Sequence, residues 1–185
     1  MVHRNVSLAL CVLGLIVADV SIGMAVLSKP GYKLFFEFLS DLGESGIAAQ
    51  WFNYGLILAG IILGIFFLTL AIALRGKLAR IGSLIGILSG IALSGVGIFH
   101  TPLPSHFAVS VSFFALAGIS AIFIAVSALR EKEITKRVVW LAAAFILLDV
   151  LFAVFYDSTA SPGLETITVI LFEAFAFGLA LGRKP

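Results

Sequence analysis

The chain has 185 residues, 61% of them hydrophobic and 12% charged, with a formal net charge of +2 at pH 7. Its mean hydropathy of +1.18 excludes a soluble domain of this size, because folding could not hide that much apolar surface from water. The composition therefore indicates an integral membrane protein. A single cysteine, Cys11, excludes an internal disulfide and a cysteine-based metal cluster.

Six apolar stretches are long enough to cross a bilayer, which takes about 20 residues at a rise of about 1.5 Å each. Hydrocarbon does not tolerate open backbone polar groups, so each stretch is expected to form a helix. The sequence therefore predicts an all-α polytopic protein, a six-helix bundle that forms one integral membrane domain over residues 1–185. The predicted spans are 5–27, 47–74, 81–99, 107–129, 138–156 and 166–182.

The basic residues predict the orientation of this bundle. Only two of the twelve, Lys29 and Lys33, fall on one side of the six-span arrangement. Positive charge marks the cytoplasmic side, so we expect a multi-pass protein of the plasma membrane with both termini in the cytoplasm. The ten bases on the expected cytoplasmic side are Arg4, Arg75, Lys77, Arg80, Arg130, Lys132, Lys136, Arg137, Arg183 and Lys184.

The connection after the first span is unusually polar for this chain. It reads FEFLSDLGESG at 36–46, with three acids within eight positions. Its polar and apolar residues separate onto two helical faces, which predicts an amphipathic helix over 31–43 in the membrane interface, ended by Gly43. Asp41 lies where this helix turns into the bilayer, so it is also a candidate for a functional site.

Three acids lie inside predicted spans at a common depth. Asp19, Asp149 and Glu173 are each roughly 10–12 Å below the expected outer boundary, and no lysine or arginine lies deep in any span. A lone carboxylate is costly in lipid, so each is expected to be protonated, to face a wet cavity or to bond a neighbour. Two interpretations stay open: each makes one interhelical hydrogen bond, or at least two line one outward-opening cavity.

The third span carries small residues at every fourth position. Such a stripe lets another helix approach closely, which is how small residues act in membrane packing. It predicts a tight helix contact, with either a helix of the same chain or another subunit as the partner. The stripe consists of Gly82, Gly86, Gly90 and Ser94.

Two histidines, His100 and His106, flank the sequence TPLP between the third and fourth spans, at the expected level of Asp41 and Asp157. Histidine nitrogen and carboxylate oxygen together bind zinc, so a divalent metal is one interpretation of this pair. Their spacing matches no metal signature, and helix capping or contact with water is the alternative. No GxSxG motif marks a nucleophile, so catalytic residues are not identified, and no basic aromatic patch indicates nucleic acid.

Two motifs resemble a known family. FLSDLGESG before a span that begins WFNYGLILAG, and GIFHTPLPSHFAVS at the fourth span, are similar to the domain of unknown function 998 family of small prokaryotic, largely archaeal, six-span membrane proteins. There is a looser likeness to the Frag1/DRAM/Sfk1 proteins, and neither family supplies a reaction. His100 stands where the first family more commonly has proline, which weakens the two-histidine metal hypothesis. The recurring polar positions that the resemblance implies are Ser40, Asp41, Gly43, Asn53 and His106.

Two classes of function follow from these features. The first is an outward-facing polar pocket that binds or processes a lipid-like or small apolar molecule from the membrane, with His106 as general base or metal ligand in an enzymatic version. The second is a non-catalytic accessory subunit of a larger membrane complex, for example a respiratory one, with other subunits or further copies of the chain as partners. The buried acids favour the pocket, whose candidate residues are Ser40, Asp41, Asn53, His106 and Asp157.

Overall fold

The computed structural model describes the backbone of residues 2–183 and the side chains of residues 4–183, and this part of the chain is helical throughout its regular structure. Its six α-helices are all long and apolar enough to cross a membrane. The predicted all-α, six-span architecture is therefore confirmed. The helices are α1 (Val2–Ser28), α2 (Gly46–Ala73), α3 (Lys77–Ile98), α4 (His106–Arg130), α5 (Arg137–Val154) and α6 (Ser161–Gly182), with a short 3-10 helix at Leu39–Gly43.

Two helices begin four or five residues earlier than hydropathy predicts. α3 starts at Lys77 and not at residue 81, and α6 starts at Ser161 and not at residue 166. Pro162 lies in the first turn of α6, where its fixed φ suits a helix and its missing N–H costs nothing. As a result Glu165, which the sequence places in a connection, lies within α6.

The predicted interfacial helix over 31–43 is reduced to the five-residue 3-10 helix. Gly31 and Phe35 have φ values of +84° and +70°, and an α-helix cannot continue through residues with positive φ. The 3-10 helix buries Leu42 completely, with 0% of its surface exposed. This segment therefore packs against the bundle, and its course is set by that contact.

The helices pack mainly in chain order. α2 lies against α1 and α3, α4 follows α3, α5 pairs with α6, and α6 returns to α1. Phenylalanine rings join the second half of the bundle: Phe172 of α6 lies 5.4 Å from Phe113 of α4 and 5.7 Å from Phe145 of α5, centroid to centroid. The core is thus continuous from α4 to α6.

The contact between α2 and α3 brings two backbones together. A Cβ at Gly90 would lie 2.8 Å from the carbonyl oxygen of Gly60 and 2.8 Å from the nitrogen of Gly64. Ser94, one turn further along α3, donates a hydrogen bond of 3.0 Å to the carbonyl of Ile57. Only residues without bulk at this crossing allow such an approach.

The other half of the stripe is also used within the chain. Gly82 faces α4, where Ser120 donates a hydrogen bond of 2.8 Å to its carbonyl oxygen, and Gly86 packs under the ring of Phe67 from α2. Each of the four small residues of α3 therefore contacts a neighbouring helix of the same chain.

One end of the bundle carries the α2–α3 and α4–α5 connections. Nine of the ten bases listed above lie near the helix ends on this side, so we call it the basic end. The tenth, Lys184, lies outside the described residues. Here Glu131 and Glu133 accept hydrogen bonds from the start of α3. Glu133 binds the N–H groups of Arg75 and Gly76, both at 2.9 Å from Oε2. These carboxylates occupy the positive end of a helix.

Further contacts close the basic end. Glu131 accepts from the N–H groups of Leu78 and Ala79 at 3.0 and 3.2 Å and from the Ser127 hydroxyl at 2.5 Å. Burial acts to raise the pKa of Glu131, but these hydrogen bonds hold that pKa below its usual value. Arg183, after α6, donates to the Ser7 hydroxyl of α1 at 2.8 Å. Connections and chain end are therefore tied together at this end.

Candidate functional site

A cavity of 890 Å³ opens at the opposite end of the bundle, which we call the acidic end. Its volume lies within the range of about 300–1,000 Å³ that is usual for small-molecule sites. It lies between α4 and α5 and is bounded by the loop at 101–104, the 3-10 helix and the start of α6. α5 ends at Val154, and the segment that follows it places Tyr156 and Asp157 in the wall of the cavity.

The helical repeat of α4 builds one wall of this cavity. Residues spaced four apart lie on one face of a helix, and two such rows face the space. The first row carries polar groups near the mouth, whereas the second is mostly apolar. The rows are His106, Ser110 and Phe114, and Phe107, Val111 and Ala115.

The candidate pocket residues do not all reach the cavity. Asn53 stays outside its lining, and its amide donates a hydrogen bond of 3.0 Å to the carbonyl of Gly43. A Cβ on Gly43 would lie 2.6 Å from the Asn53 side-chain oxygen, so this glycine permits the close approach. Asn53 therefore holds the connection against α2. The four candidates that do line the cavity are Ser40, Asp41, His106 and Asp157.

Asp41 lies within the 3-10 helix at the cavity mouth. Its Oδ2 accepts a hydrogen bond of 3.1 Å from the Phe38 N–H, while Lys29 donates to its backbone oxygen at 2.8 Å. Burial raises the pKa of the Asp41 carboxyl, with Glu37 and Glu44 acting in the same direction and the Phe38 hydrogen bond and Lys29 opposing.

Glu165 is the site residue that sequence reasoning missed. It is 9% exposed, lines the cavity and accepts a hydrogen bond of 2.6 Å from the Leu39 N–H. The hydropathy profile places it in a connection, outside the sixth span. The pair Ser161–Pro162 is a helix-start signal four residues earlier, and it would have placed Glu165 within α6.

The ring of His106 is held by two protein groups. Its Nδ1 lies 2.9 Å from the carbonyl oxygen of Phe99, and its Nε2 lies 3.3 Å from the Ser110 hydroxyl. A carbonyl only accepts hydrogen bonds, so we assign the hydrogen to Nδ1 and an acceptor role to Nε2. His100 lies outside the cavity lining, with Nδ1 2.8 Å from the carbonyl of Thr101.

A metal site gains no support from this geometry. In residues 4–183, no three side chains of histidine, cysteine, aspartate or glutamate come together in a group that would hold a metal ion. The two histidines of the hypothesis, His100 and His106, turn their Nδ1 atoms to carbonyls of their own loop.

The three membrane-level acids divide between two places. Asp19 of α1 and Glu173 of α6 are neighbours that interact electrostatically. Glu173 lines a second, small cavity of 60 Å³, which shares Glu165 and Ser110 with the large one. Asp149 lines the large cavity, so the three carboxyl groups do not lie together.

Aromatic rings form the wall of the mouth beside the acids. Tyr156 lies at their centre, with its ring centroid 6.0 Å from Phe38, 5.5 Å from Phe107 and 5.8 Å from Phe152. All four rings line the cavity. We call this group the aromatic wall.

The electrostatic field at the aromatic wall is negative. Burial raises the pKa of the Tyr156 hydroxyl, and the charges of Glu165, Asp157 and Asp41 raise it further. Among the described residues, no lysine or arginine lines the cavity.

The fold and the cavity define an integral membrane protein with six spanning helices and a ligand-sized space at one end. The chain matches the model of the family described as "Protein of unknown function (DUF998)" over residues 12–182, and it therefore belongs to this family. The resemblance carried by the Ser-Asp-Leu-Gly and His-Thr-Pro-Leu-Pro motifs is thereby confirmed. No curated protein and no solved structure matches the chain.

Proposed function

We propose that the cavity binds one amphipathic, lipid-like molecule, with its polar end at the mouth and its chain between α4 and α5. The observation that carries this proposal is the order of the lining: carboxyl and hydroxyl groups collect at the mouth, and the side chains below are mostly apolar, with Asp149 at the deep end of the α5 wall. Ligand pockets typically combine apolar walls with a few placed polar groups in this way.

The sides of the cavity favour a ligand that comes from the membrane. Phe107, Val111 and Val150 lie on its rim and are 56%, 48% and 54% exposed, on spans whose outer surface faces lipid. From His106 to Ala115 the cavity follows nine residues of α4, or about 13 Å along the helix. This depth is close to half of the hydrocarbon thickness of about 30 Å, which suits an acyl chain.

The proposal is one of binding and rests on the shape and lining of the cavity. The ring of His106 is oriented by the Phe99 carbonyl and faces the Ser110 hydroxyl with Nε2, an arrangement that is compatible with binding and with proton transfer alike. The proposal follows the positive-inside rule for orientation, with the acidic end outside and the basic end in the cytoplasm of the cell.

The accessory-subunit hypothesis loses one argument. The stripe of α3 was one surface that could have docked a partner, and its small residues contact α2 and α4 of the same chain. The cavity between α4 and α5 has no such internal partner, so a bound molecule accounts for it better.

The test is a binding measurement with matched cavity-filling variants. The protein is reconstituted in nanodiscs of uncharged glycolipid and titrated with a dodecyl chain that carries an uncharged dansyl amide. Ala115→Trp places a large ring in the cavity and should weaken binding about tenfold or more, which corresponds to about 1.4 kcal/mol. Ala143→Trp, at an exposed position of α5 outside the lining, is the control and should bind like the parent. Equal binding by all three proteins would overturn the proposal.

A further inference from the structure

The chemistry of the cavity mouth restricts the head group of its ligand. Four acids line the cavity. Three of them, Asp41, Asp157 and Glu165, are close enough to Tyr156 for their charges to raise the pKa of its hydroxyl. An anionic head group would meet these carboxyl groups without a lysine or arginine among the described lining residues. Desolvating like charges together is unfavourable, so a phosphate, sulfate or carboxylate head is disfavoured here.

The nearest lysine does not change this balance. Lys29 lies behind the 3-10 helix, where its Nζ donates to the backbone oxygen of Asp41 and lies 3.9 Å from the carboxylate of Glu44. It also lies 5.9 Å from the ring centroid of Tyr32. Lys29 therefore stabilises the connection and is absent from the cavity lining.

The aromatic wall supplies a second, independent attraction for a cation. An ammonium group over the face of an aromatic ring is attracted by the ring quadrupole, and the effect grows when the site is partly desolvated. Tyr156 and Phe107 are 41% and 56% exposed, so ring surface remains open to the cavity. The wall and the carboxyl groups of Asp41 and Asp157 border the same mouth.

We infer that the ligand carries a positively charged nitrogen in its head group, a primary amine or a quaternary ammonium, held between the aromatic wall and the carboxyl groups of the mouth. This inference rests on the proposed function, because it names the head group of the same lipid-like ligand. The apolar chain then continues along Val111 and Phe114.

Three amphiphiles with the same chain test this inference by displacing the dansyl probe from the nanodisc-bound protein. They are dodecyltrimethylammonium, dodecyl phosphate and dodecyl maltoside, and empty nanodiscs correct for partition into the lipid. We expect the ammonium compound to bind about tenfold more tightly than the other two, since a cation–π contact and a carboxylate both contribute.

Two variants of the mouth test the aromatic wall and the carboxyl groups separately. In Tyr156→Leu and in Asp157→Asn the ratio between the ammonium and maltoside dissociation constants should fall to about threefold or less. The matched controls are Tyr54→Leu, which alters an exposed tyrosine outside the cavity, and Glu133→Gln, which alters an acid at the basic end, and they should keep the ratio.

The possible outcomes distinguish the two proposals. If the probe binds but the three amphiphiles displace it equally, or if the ratio is unchanged in Tyr156→Leu and Asp157→Asn, the head-group inference is overturned and the proposed function stands. If neither the probe nor any amphiphile binds, the proposed function itself fails.

Discussion

The α2–α3 pair and the α4–α5 pair are built alike and pack in opposite ways. Both consist of apolar spans joined by a short connection at the basic end. α2 and α3 meet backbone to backbone at Gly60, Gly64 and Gly90, whereas α4 and α5 separate around the 890 Å³ cavity. Hydrophobicity is similar in both pairs, so the size of the residues at the crossing decides how closely two spans approach.

The largest expected effect comes from adding bulk to the close pair. Gly90→Leu should destabilise the protein by about 3 kcal/mol, because the new side chain meets the Gly60 and Gly64 backbone, which cannot move aside as a side chain can. Thermal unfolding in detergent measures this. Leu88→Ile, at a position 51% exposed on the same helix, is the control and should melt like the parent. A Gly90→Leu protein that melts with the parent would contradict the close α2–α3 contact.

The next effect concerns the connection that fixes the start of α3. Glu131→Gln should cost about 1 kcal/mol, because an uncharged amide binds the N–H groups of Leu78 and Ala79 less strongly than a carboxylate does.

The same residue has a predictable pH dependence. Since the folded-state pKa of Glu131 is lowered, its stabilising contribution is present above the unfolded-state pKa and is lost as the pH falls through the folded-state value. Unfolding midpoints measured from neutral to acidic pH should therefore converge for the parent and Glu131→Gln. A difference that stays constant down to strongly acidic pH would argue against the carboxylate cap.

Adding bulk to the open pair should have little effect on stability. Ala153→Leu adds three carbons to a residue that lines the cavity, so the free energy of unfolding should change by less than about 1 kcal/mol. Compared with Gly90→Leu in the same assay, this variant sharpens the contrast between the two pairs. A loss as large as that of Gly90→Leu would mean that Ala153 packs against a neighbouring helix and that the cavity is closed at this residue in the membrane.

The smallest expected effect is at the α1–α6 pair of acids. Glu173→Gln keeps the shape of the side chain and a polar group beside Asp19, so the free energy of unfolding should change by about 0.5 kcal/mol or less. Glu173→Leu is the comparison, because it replaces the polar neighbour of the Asp19 carboxyl by an apolar side chain. If both variants lose stability equally, the two carboxyl groups do not depend on each other.

Hydropathy predicted the six spans because it sums over about 20 residues and needs no knowledge of neighbours. The close contact of α3 was predictable for a similar reason, since small residues at every fourth position are visible in the sequence of one helix. The structure of the connection after α1 was not predictable in this way, because its course depends on the burial of Leu42 and on the positive φ of Phe35.

The candidate site was predictable only in part. Ser40, Asp41, His106 and Asp157 line the cavity because polar residues next to span ends collect at one end of a bundle. Glu165 was not predictable from polarity alone, since its partner is the N–H of Leu39, 126 positions away in the sequence. Long-range pairs of this kind leave no local pattern in a single chain.

The depth of the cavity has a consequence for how a ligand could exchange with the bilayer. Its lining on α4 ends at Ala115, nine residues into a helix that continues to Arg130, and its lining on α5 ends at Asp149. Around this level, the rings of Phe113, Phe145 and Phe172 join α4, α5 and α6. Under the proposed function, a ligand in this conformation would therefore be exchanged with one leaflet, because the cavity follows less than half of α4.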